Sequence, residues 1–266
     1  MDREELSKMA YEYCTVERDG PILKVTMNRP ELYNALHAPA HCELAEVWDD
    51  YAKDQDLWCA ILTGAGDKAF SAGNDLKYTA QGGKGTPPPS GFAGLSMRYD
   101  LEKPIVAAVN GFAMGGGFET ALSCDIIIAA DTAKFALPEV KVGLFAAAGG
   151  VQRLSRQIGR KRAVEMMLTG RSVTAAEGKE FGFVNEVCSP ADLMDRAMAK
   201  AQELISVSPS SIKATKRVLN AMEDLENLRI SLHYSRYVST ELRNTEDFHE
   251  GVNAFVEKRK PQWKNR

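Results

Sequence analysis

The stretch KPIVAAVNGFAMGGGFETALSCDIIIAA, residues 103–130, decides the fold class. Its apolar run Ile105–Val109 reads as a buried strand that stops at Asn110-Gly111. The consecutive glycines Gly115, Gly116 and Gly117 then precede a helix predicted from about residue 116 to 124, and residues 125–130 read as a second strand. Strand, helix and strand in one short span predict right-handed crossovers and an α/β protein. Three glycines in a row cost backbone entropy, and their physical use is close approach. With no Cβ in the way, a ligand can lie on the backbone where the helix starts and unpaired N–H groups face outward. An oxygen gaining negative charge is a natural guest there.

Outward from this stretch the same alternation continues. Residues 22–27 and 58–63 read as strands, the second ending at Gly64-Ala65-Gly66. Residues 39–53 have helical spacing, with Leu44, Val47, Trp48 and Tyr51 on one face. From about Val164 the chain turns mostly helical. Residues 191–205 line up Leu193, Met194, Ala197, Met198, Ala201, Leu204 and Ile205 on one side, and 209–222 and 225–242 predict further amphipathic helices. The expected organisation is an α/β core over residues 1–200 and a helical region over 201–266. The Pro/Gly-rich stretch 82–91 is too short for a linker and predicts a flap or pocket rim.

Composition narrows the function classes. The 266 residues are 44% apolar and 26% charged, with a net charge of −3, so no global basic field exists to attract nucleic acid. No run reaches the ~18 apolar residues of a membrane span. The cysteines are Cys14, Cys42, Cys59, Cys124 and Cys188, odd in number, widely spaced and without CxxC. That argues against a zinc or disulfide framework and favours a reducing compartment. The polar, acidic start, Met1-Asp2-Arg3-Glu4-Glu5, resembles neither a secretory nor a transit signal, and the expected location is cytoplasmic. The last nine residues carry Lys258, Arg259, Lys260, Lys264 and Arg266 without an acid, a tail that can meet a phosphate or simply be solvated.

Several motifs fail on inspection. Gly64-Ala65-Gly66-Asp67-Lys68-Ala69 matches GxGxxA after a strand, but no helix opens behind it and no acid lies about 20 residues on. The glycines at 82–86 lack phosphate-loop spacing, and no GxSxG elbow occurs. His37 and His41 enclose Pro39 without a metalloprotease glutamate, so they are read as polar residues at a helix start and no metal is expected. Two segments remain. Phe70-Ser71-Ala72-Gly73-Asn74-Asp75-Leu76 is a small-residue turn after a strand, with backbone N–H groups free to point at something. With the triple glycine it can supply two N–H donors to one oxygen, an oxyanion hole. Glu119 is one helical turn beyond Gly116, and Glu139 follows Pro138 in a second apolar turn. Either glutamate alone reads as a surface or capping residue. Both together, beside these glycines, point to acid–base chemistry.

The segments AFSAGNDL (69–76), 103–130, KFALPEVKVGL (134–144), GGVQRL (149–154) and EMMLTGR (165–171) resemble the enoyl-CoA hydratase/isomerase (crotonase) superfamily, over nearly the whole chain and in order. Asn28-Arg29-Pro30-Glu31, Asn34-Ala35-Leu36 and residues 250–259 fit the same pattern. The resemblance implies an α/β spiral of ββα units, the ClpP/crotonase fold, with a helical C-terminal trimerisation region and a trimer or dimer of trimers. It implies an acyl thioester of coenzyme A as substrate and no prosthetic group. By the family pattern the N–H groups of Ala72 and Gly116 bind the thioester oxygen. Ala35, Ala72, Asn74, Asp75, Leu76 and Gly116 line the coenzyme A site, and Lys260 reaches a coenzyme A of a neighbouring subunit. Glutamates at both matched positions, Glu119 and Glu139, resemble a hydratase rather than a Δ3,Δ2-enoyl-CoA isomerase, which needs one base. The runs 117–119 and 135–139 also resemble the crotonobetainyl-CoA hydratase (carnitinyl-CoA dehydratase) branch. A silent CoA-binding scaffold is the rival outside enzymology. Two departures stand out: Ala146-Ala147-Ala148-Gly149-Gly150 replaces a common Pro-Gly-Ala-Gly-Gly, and Asn74 and Phe145 stand at pocket-shaping positions.

Overall fold

A computed structural model describes residues 11–83, 85–223 and 227–266. The reading of Met1–Glu5, residue 84 of the Pro/Gly stretch and the expected helix start at 225 lie outside them. The chain opens with an antiparallel hairpin, β1 (Cys14–Asp19) and β2 (Ile22–Met27). Helix α1 (Ala38–Lys53) follows, with a proline in its first turn and Leu44, Val47, Trp48 and Tyr51 buried as their spacing predicts.

The α/β part then winds by repetition. Each turn of the spiral supplies one strand to each of two sheets, then a helix. The turns are β3 (Cys59–Gly64), β4 (Ala69–Ser71) and α2 (Leu76–Ala80); β5 (Ile105–Val109), β6 (Phe112–Met114) and α3 (Gly116–Leu122); and β7 (Ile126–Ala130), β8 (Lys134–Ala136) and α4 (Gly150–Ile158). β3, β5 and β7 are parallel neighbours in a six-stranded sheet, ordered β1-β2-β3-β5-β7 and then β10 (Glu186–Cys188). β4, β6 and β8 are parallel neighbours in a four-stranded sheet, ordered β4-β6-β8 and then β9 (Val173–Thr174). Every residue of β3 and β5 is buried, as a parallel sheet covered on both faces requires.

After α4 come α5 (Arg160–Thr169), β9 (Val173–Thr174), α6 (Ala175–Phe181) and β10 (Glu186–Cys188). Thr174 and Glu177 form a reciprocal capping box at α6. Helix α7 (Leu193–Ile205) buries Leu193, Ala197 and Ala201 on the six-stranded sheet, against Ile22, Ile61, Val106 and Ile128. Residue 200, the expected domain limit, therefore falls inside a helix that belongs to the core packing. Beyond it lie α8 (Pro209–Met222), α9 (Leu228–Leu242) and α10 (Glu246–Glu257). Lys216 ties α8 to the core through Asp125 Oδ2 (2.7 Å) and the Lys103 carbonyl (2.8 Å). Helix α3 stops at Leu122, two residues short of the expected end. Among the described residues no helix is long and apolar enough to cross a membrane, and all five cysteines are free thiols.

The two sheets lock together where β4 meets the start of α3. A Cβ on Gly117 would stand 2.1 Å from the Ser71 carbonyl oxygen, which is backbone and cannot turn aside. We expect Gly117→Ala to lower unfolding stability by about 1–3 kcal/mol through this overpacking, read as a fall in the urea midpoint at unchanged slope.

Candidate active site

The site forms where the turn after β4 lies against the start of α3. Gly73 has φ +86°, and a Cβ there would stand 2.6 Å from the Met114 carbonyl and 2.8 Å from the Gly116 nitrogen. Only glycine fits such an approach. A parallel bridge between Leu36 and Asn74 sets the turn's direction: Leu36 N–H donates to the Gly73 carbonyl (2.8 Å) and Asp75 N–H donates to the Leu36 carbonyl (2.9 Å). The Asn74 N–H points away from that bridge and has no acceptor among the described residues. The Gly116 N–H likewise has none. Two unpaired amides on touching backbones are the material of an oxyanion hole.

One expected donor is not available. The Ala72 N–H donates to the Tyr33 carbonyl at 2.9 Å, inside the fold. An amide already spent cannot also meet a substrate oxygen, so the amide free on this turn is that of Asn74, two residues on. The left-handed Gly73 (φ +86°) between them breaks the extended alternation, so the N–H groups of residues 72 and 74 face different ways, and the contact with residues 33–36 takes up the first. The seven-residue α3 offers its first free amides rather than an extended helix dipole.

The other expected ligand-facing residues do gather here. The Leu36–Asn74 bridge sets Ala35 beside the turn. Arg29 fastens both sides, donating to the Ala35 carbonyl (2.6 Å) and to Asp75 Oδ2 (3.0 Å). Burial opposes the Asp75 charge, but the Tyr78 amide and Arg29 outweigh it and hold the carboxyl below its ordinary range. Ala72 and Leu76 are exposed along this edge. Lys260 is not part of the gathering within one chain. The tail that carries it is pinned by Trp263 to the Ser206 carbonyl (3.0 Å) and by Asn265 to the Gln55 carbonyl (2.7 Å). Gln55 lies past the far end of α1, a helix about 24 Å long at 1.5 Å per residue, from the end that adjoins Leu36.

Two carboxyl groups complete the site. Glu119, 3% exposed, projects from α3, and its Oε1 accepts from the Gly150 N–H at 2.8 Å. Burial pushes its carboxyl up to about 7; the Gly150 amide opposes this, the Glu139 charge adds to it, and the Ala148 amide also opposes it. Glu139 opens the 3-10 turn after Pro138, its Oε1 3.0 Å from where a Cβ of Gly115 would lie. Burial raises its pKa as well, and its buried Oε2 has no hydrogen-bond partner. Burial thus raises both carboxyls above the usual carboxylate range, and the Glu139 charge adds to the rise of Glu119. In the loop that holds Glu119 the left-handed position is Gly149 (φ 105°), and none of the three alanines has positive φ. Phe145 is 66% exposed.

Sequence reasoning missed Arg153, which donates to the Ser96 carbonyl (2.8 Å) and lowers the Glu119 pKa, and Phe92, whose ring abuts Gly116. Arg153 lies within the GGVQRL segment, where nothing marks its side chain as directed at this site, and Phe92 lies in no periodic or motif context. Among the described residues no three His, Cys, Asp or Glu side chains cluster to hold a metal ion.

The spiral of ββα turns thus sets two unpaired backbone amides, of Asn74 and Gly116, and two buried carboxyl groups of raised pKa around the start of α3. Comparison with known proteins gives the family. The pattern of the enoyl-CoA hydratase/isomerase family matches residues 17–266, and the chain belongs to that family. It is 43% identical over 254 residues to a carnitinyl-CoA dehydratase of Citrobacter koseri, covering 94% of this chain and 97% of that one. A Salmonella agona protein of the same name is 42% identical over 265 residues, 96% of this chain and 99% of the other. Among solved structures, an enoyl-CoA hydratase of Mycobacterium tuberculosis superposes with a TM-score of 0.91 at 35% identity, over 96% of this chain and 100% of that one. A carnitinyl-CoA hydratase of Mycobacterium avium gives 0.76 at 38% identity, again over 96% and 100%.

If Glu139 helps hold the Glu119 carboxyl up, Glu139→Gln moves the Glu119 titration below about 7. Carboxyl infrared bands followed against pH, with Glu119→Gln as the reference that lacks the group, check this; an unmoved titration separates the two acids.

Proposed function

We propose that this protein is a hydro-lyase of acyl-CoA thioesters, adding water syn across an α,β-double bond or removing it, through an enolate held by the Asn74 and Gly116 amides. The observation that carries the reading is the pair of unpaired amides beside the pair of raised carboxyl groups. The thioester oxygen sits on the amides as water attacks the β-carbon. The bare carboxylate of the pair accepts a proton from that water, and the protonated one gives its proton to the α-carbon. One proton enters the pair and one leaves, so the pair is restored after exchange. Donor amides of this kind are worth about 10²–10³ in rate each, and an acid–base group about 10²–10⁴. The chemistry asks for no prosthetic group. An isomerase would need one shuttling base, and the second buried acid favours water chemistry.

Coenzyme A fits along the edge Ala35, Ala72, Asn74, Asp75 and Leu76. Within the hydro-lyase reading, whole-length likeness to carnitinyl-CoA dehydratases favours a crotonobetainyl- or carnitinyl-CoA substrate. The exposed Leu228, Ile230 and Leu232 of α9 and Phe255 and Val256 of α10 support a trimer or dimer of trimers, in which Lys260 meets the coenzyme A of a neighbouring subunit. Five free thiols support a cytoplasmic location.

A panel of crotonyl-CoA, crotonobetainyl-CoA, its neutral tert-butyl isostere and a 3-enoyl-CoA tests the reading. Loss of the conjugated enoyl absorbance marks hydration; a gain from the 3-enoyl ester alone would make the protein an isomerase, and no change with any ester would leave a scaffold. Preference for the cationic ester over its isostere checks the narrower substrate. Glu119→Gln and Glu139→Gln are each expected to slow hydration at least ~10²-fold while the esters still bind. The rate against pH should be bell-shaped. It rises as the first proton leaves the pair and falls through about 7, where the second leaves; Glu119→Gln removes the falling limb.

A further inference from the structure

Residues 91–96 are held in a costly conformation. Gly91 and Gly94 have φ of 85° and 63°, and Ala93, which carries a side chain, has φ 54°. A left-handed alanine costs about 1–2 kcal/mol and persists only where its surroundings enforce it. Here they do. The Ala93 N–H donates to His41 Nδ1 (3.1 Å), and the Ala93 carbonyl accepts from Trp48 Nε1 (3.0 Å). The Phe92 N–H donates to Ser96 Oγ (2.9 Å), and the Ser96 carbonyl accepts from Arg153 (2.8 Å). His41 accepts only while neutral, and burial lowers its pKa to about 4, so this contact persists through the neutral range.

What the segment presents is the tip of one ring. Phe92 Cζ, Cε1 and Cε2 lie 2.4, 2.6 and 2.8 Å from where a Cβ on Gly116 would stand. Its other side packs on the His41 ring, 4.3 Å between centroids. Gly115 and Gly116 have backbone freedom that a reactive donor should not have, and no side chain caps the start of α3. A hydrogen bond weakens steeply as its angle degrades. The ring tip removes the freedom that the glycines bring.

We propose that Phe92 is a positioning residue of this reaction, pressing on Gly116 so that its amide keeps one direction as charge develops on the thioester oxygen. The inference rests on the oxyanion hole proposed above. A ring that merely filled space would affect all ligands alike. A ring that aims a donor affects the anionic form of the substrate above all.

The test uses the full chain, Phe92→Ala and Phe92→Leu, with two probes. Acetoacetyl-CoA binds as an enolate with its own ultraviolet band, and butyryl-CoA, saturated, reports ordinary ester binding. Phe92→Ala is expected to lower kcat of hydration about 10-fold or more with KM shifted less than about 3-fold. Enolate binding should weaken about 10-fold, and butyryl-CoA binding less than about 3-fold. Phe92→Leu, bulky but short of Gly116, carries the same split at about 3-fold if the alanine variant does not fold. Equal weakening of both probes, or full kcat in both variants, overturns the role of Phe92 and leaves the hole standing. A native protein that gives no enolate band with acetoacetyl-CoA overturns the hole, and the role of Phe92 with it.

Discussion

The close approach of two backbones, residues 71–74 against 115–117, is the constraint on which the rest depends. Gly117 packs on the Ser71 carbonyl and Gly73 on the Gly116 nitrogen at distances that leave no room for a Cβ. Because β4 and β6 are adjacent parallel strands, each ββα turn delivers its small-residue corner to the same place. The spiral thus brings together amides that are over 40 residues apart in sequence. In the proposed reaction no polar side chain is spent on the hole, which leaves the acids for proton transfer.

Burial then sets the chemistry of those acids. In water each carboxyl would be bare at neutral pH. Glu119 sits beneath the α4 loop, and although the amides of Gly150 and Ala148 favour its charge, desolvation wins and the group rises to about 7. Two amides are enough to orient it without making it a permanent anion. Glu139 is raised by burial but keeps an oxygen without a partner, the arrangement expected of a group that must change hydrogen-bond partners during the reaction. The asymmetry, one acid held and one left open, follows from α3 pointing Glu119 into a loop while Pro138 turns Glu139 across the start of α3.

Much of this was legible in the sequence because it is written in local residues. The strand–glycine–helix run 103–130, the turn 70–76 and the two glutamates carried the fold and the reaction class. What was misread depended on contacts far along the chain. Whether Ala72 or Asn74 offers its N–H is settled by Tyr33 and Leu36, and no property of the turn itself distinguishes the two. The division at residue 200 fell inside α7 because that helix's apolar stripe serves the six-stranded sheet and not a separate helical unit. Phe92 was invisible because it follows a Pro/Gly stretch with no periodicity, and its role exists only through His41, Trp48 and Arg153.

These misses share a physical origin that bears on how such a site evolves its selectivity. Glycine-rich corners give close approach but no rigidity, so rigidity has to be imported from side chains elsewhere. Here it comes from α1, through His41 and Trp48, and from α4, through Arg153, all converging on residues 92–96. That segment borders the donor on one side and adjoins the Pro/Gly stretch on the other. A change in the Pro/Gly stretch can therefore be made while the buried bonds at Ala93 and Ser96 keep residues 92–96 in place. In the proposed reaction, separating the part that fixes the amide from a neighbouring stretch free to vary would let one enolate-holding core serve thioesters of different head group without rebuilding the hole.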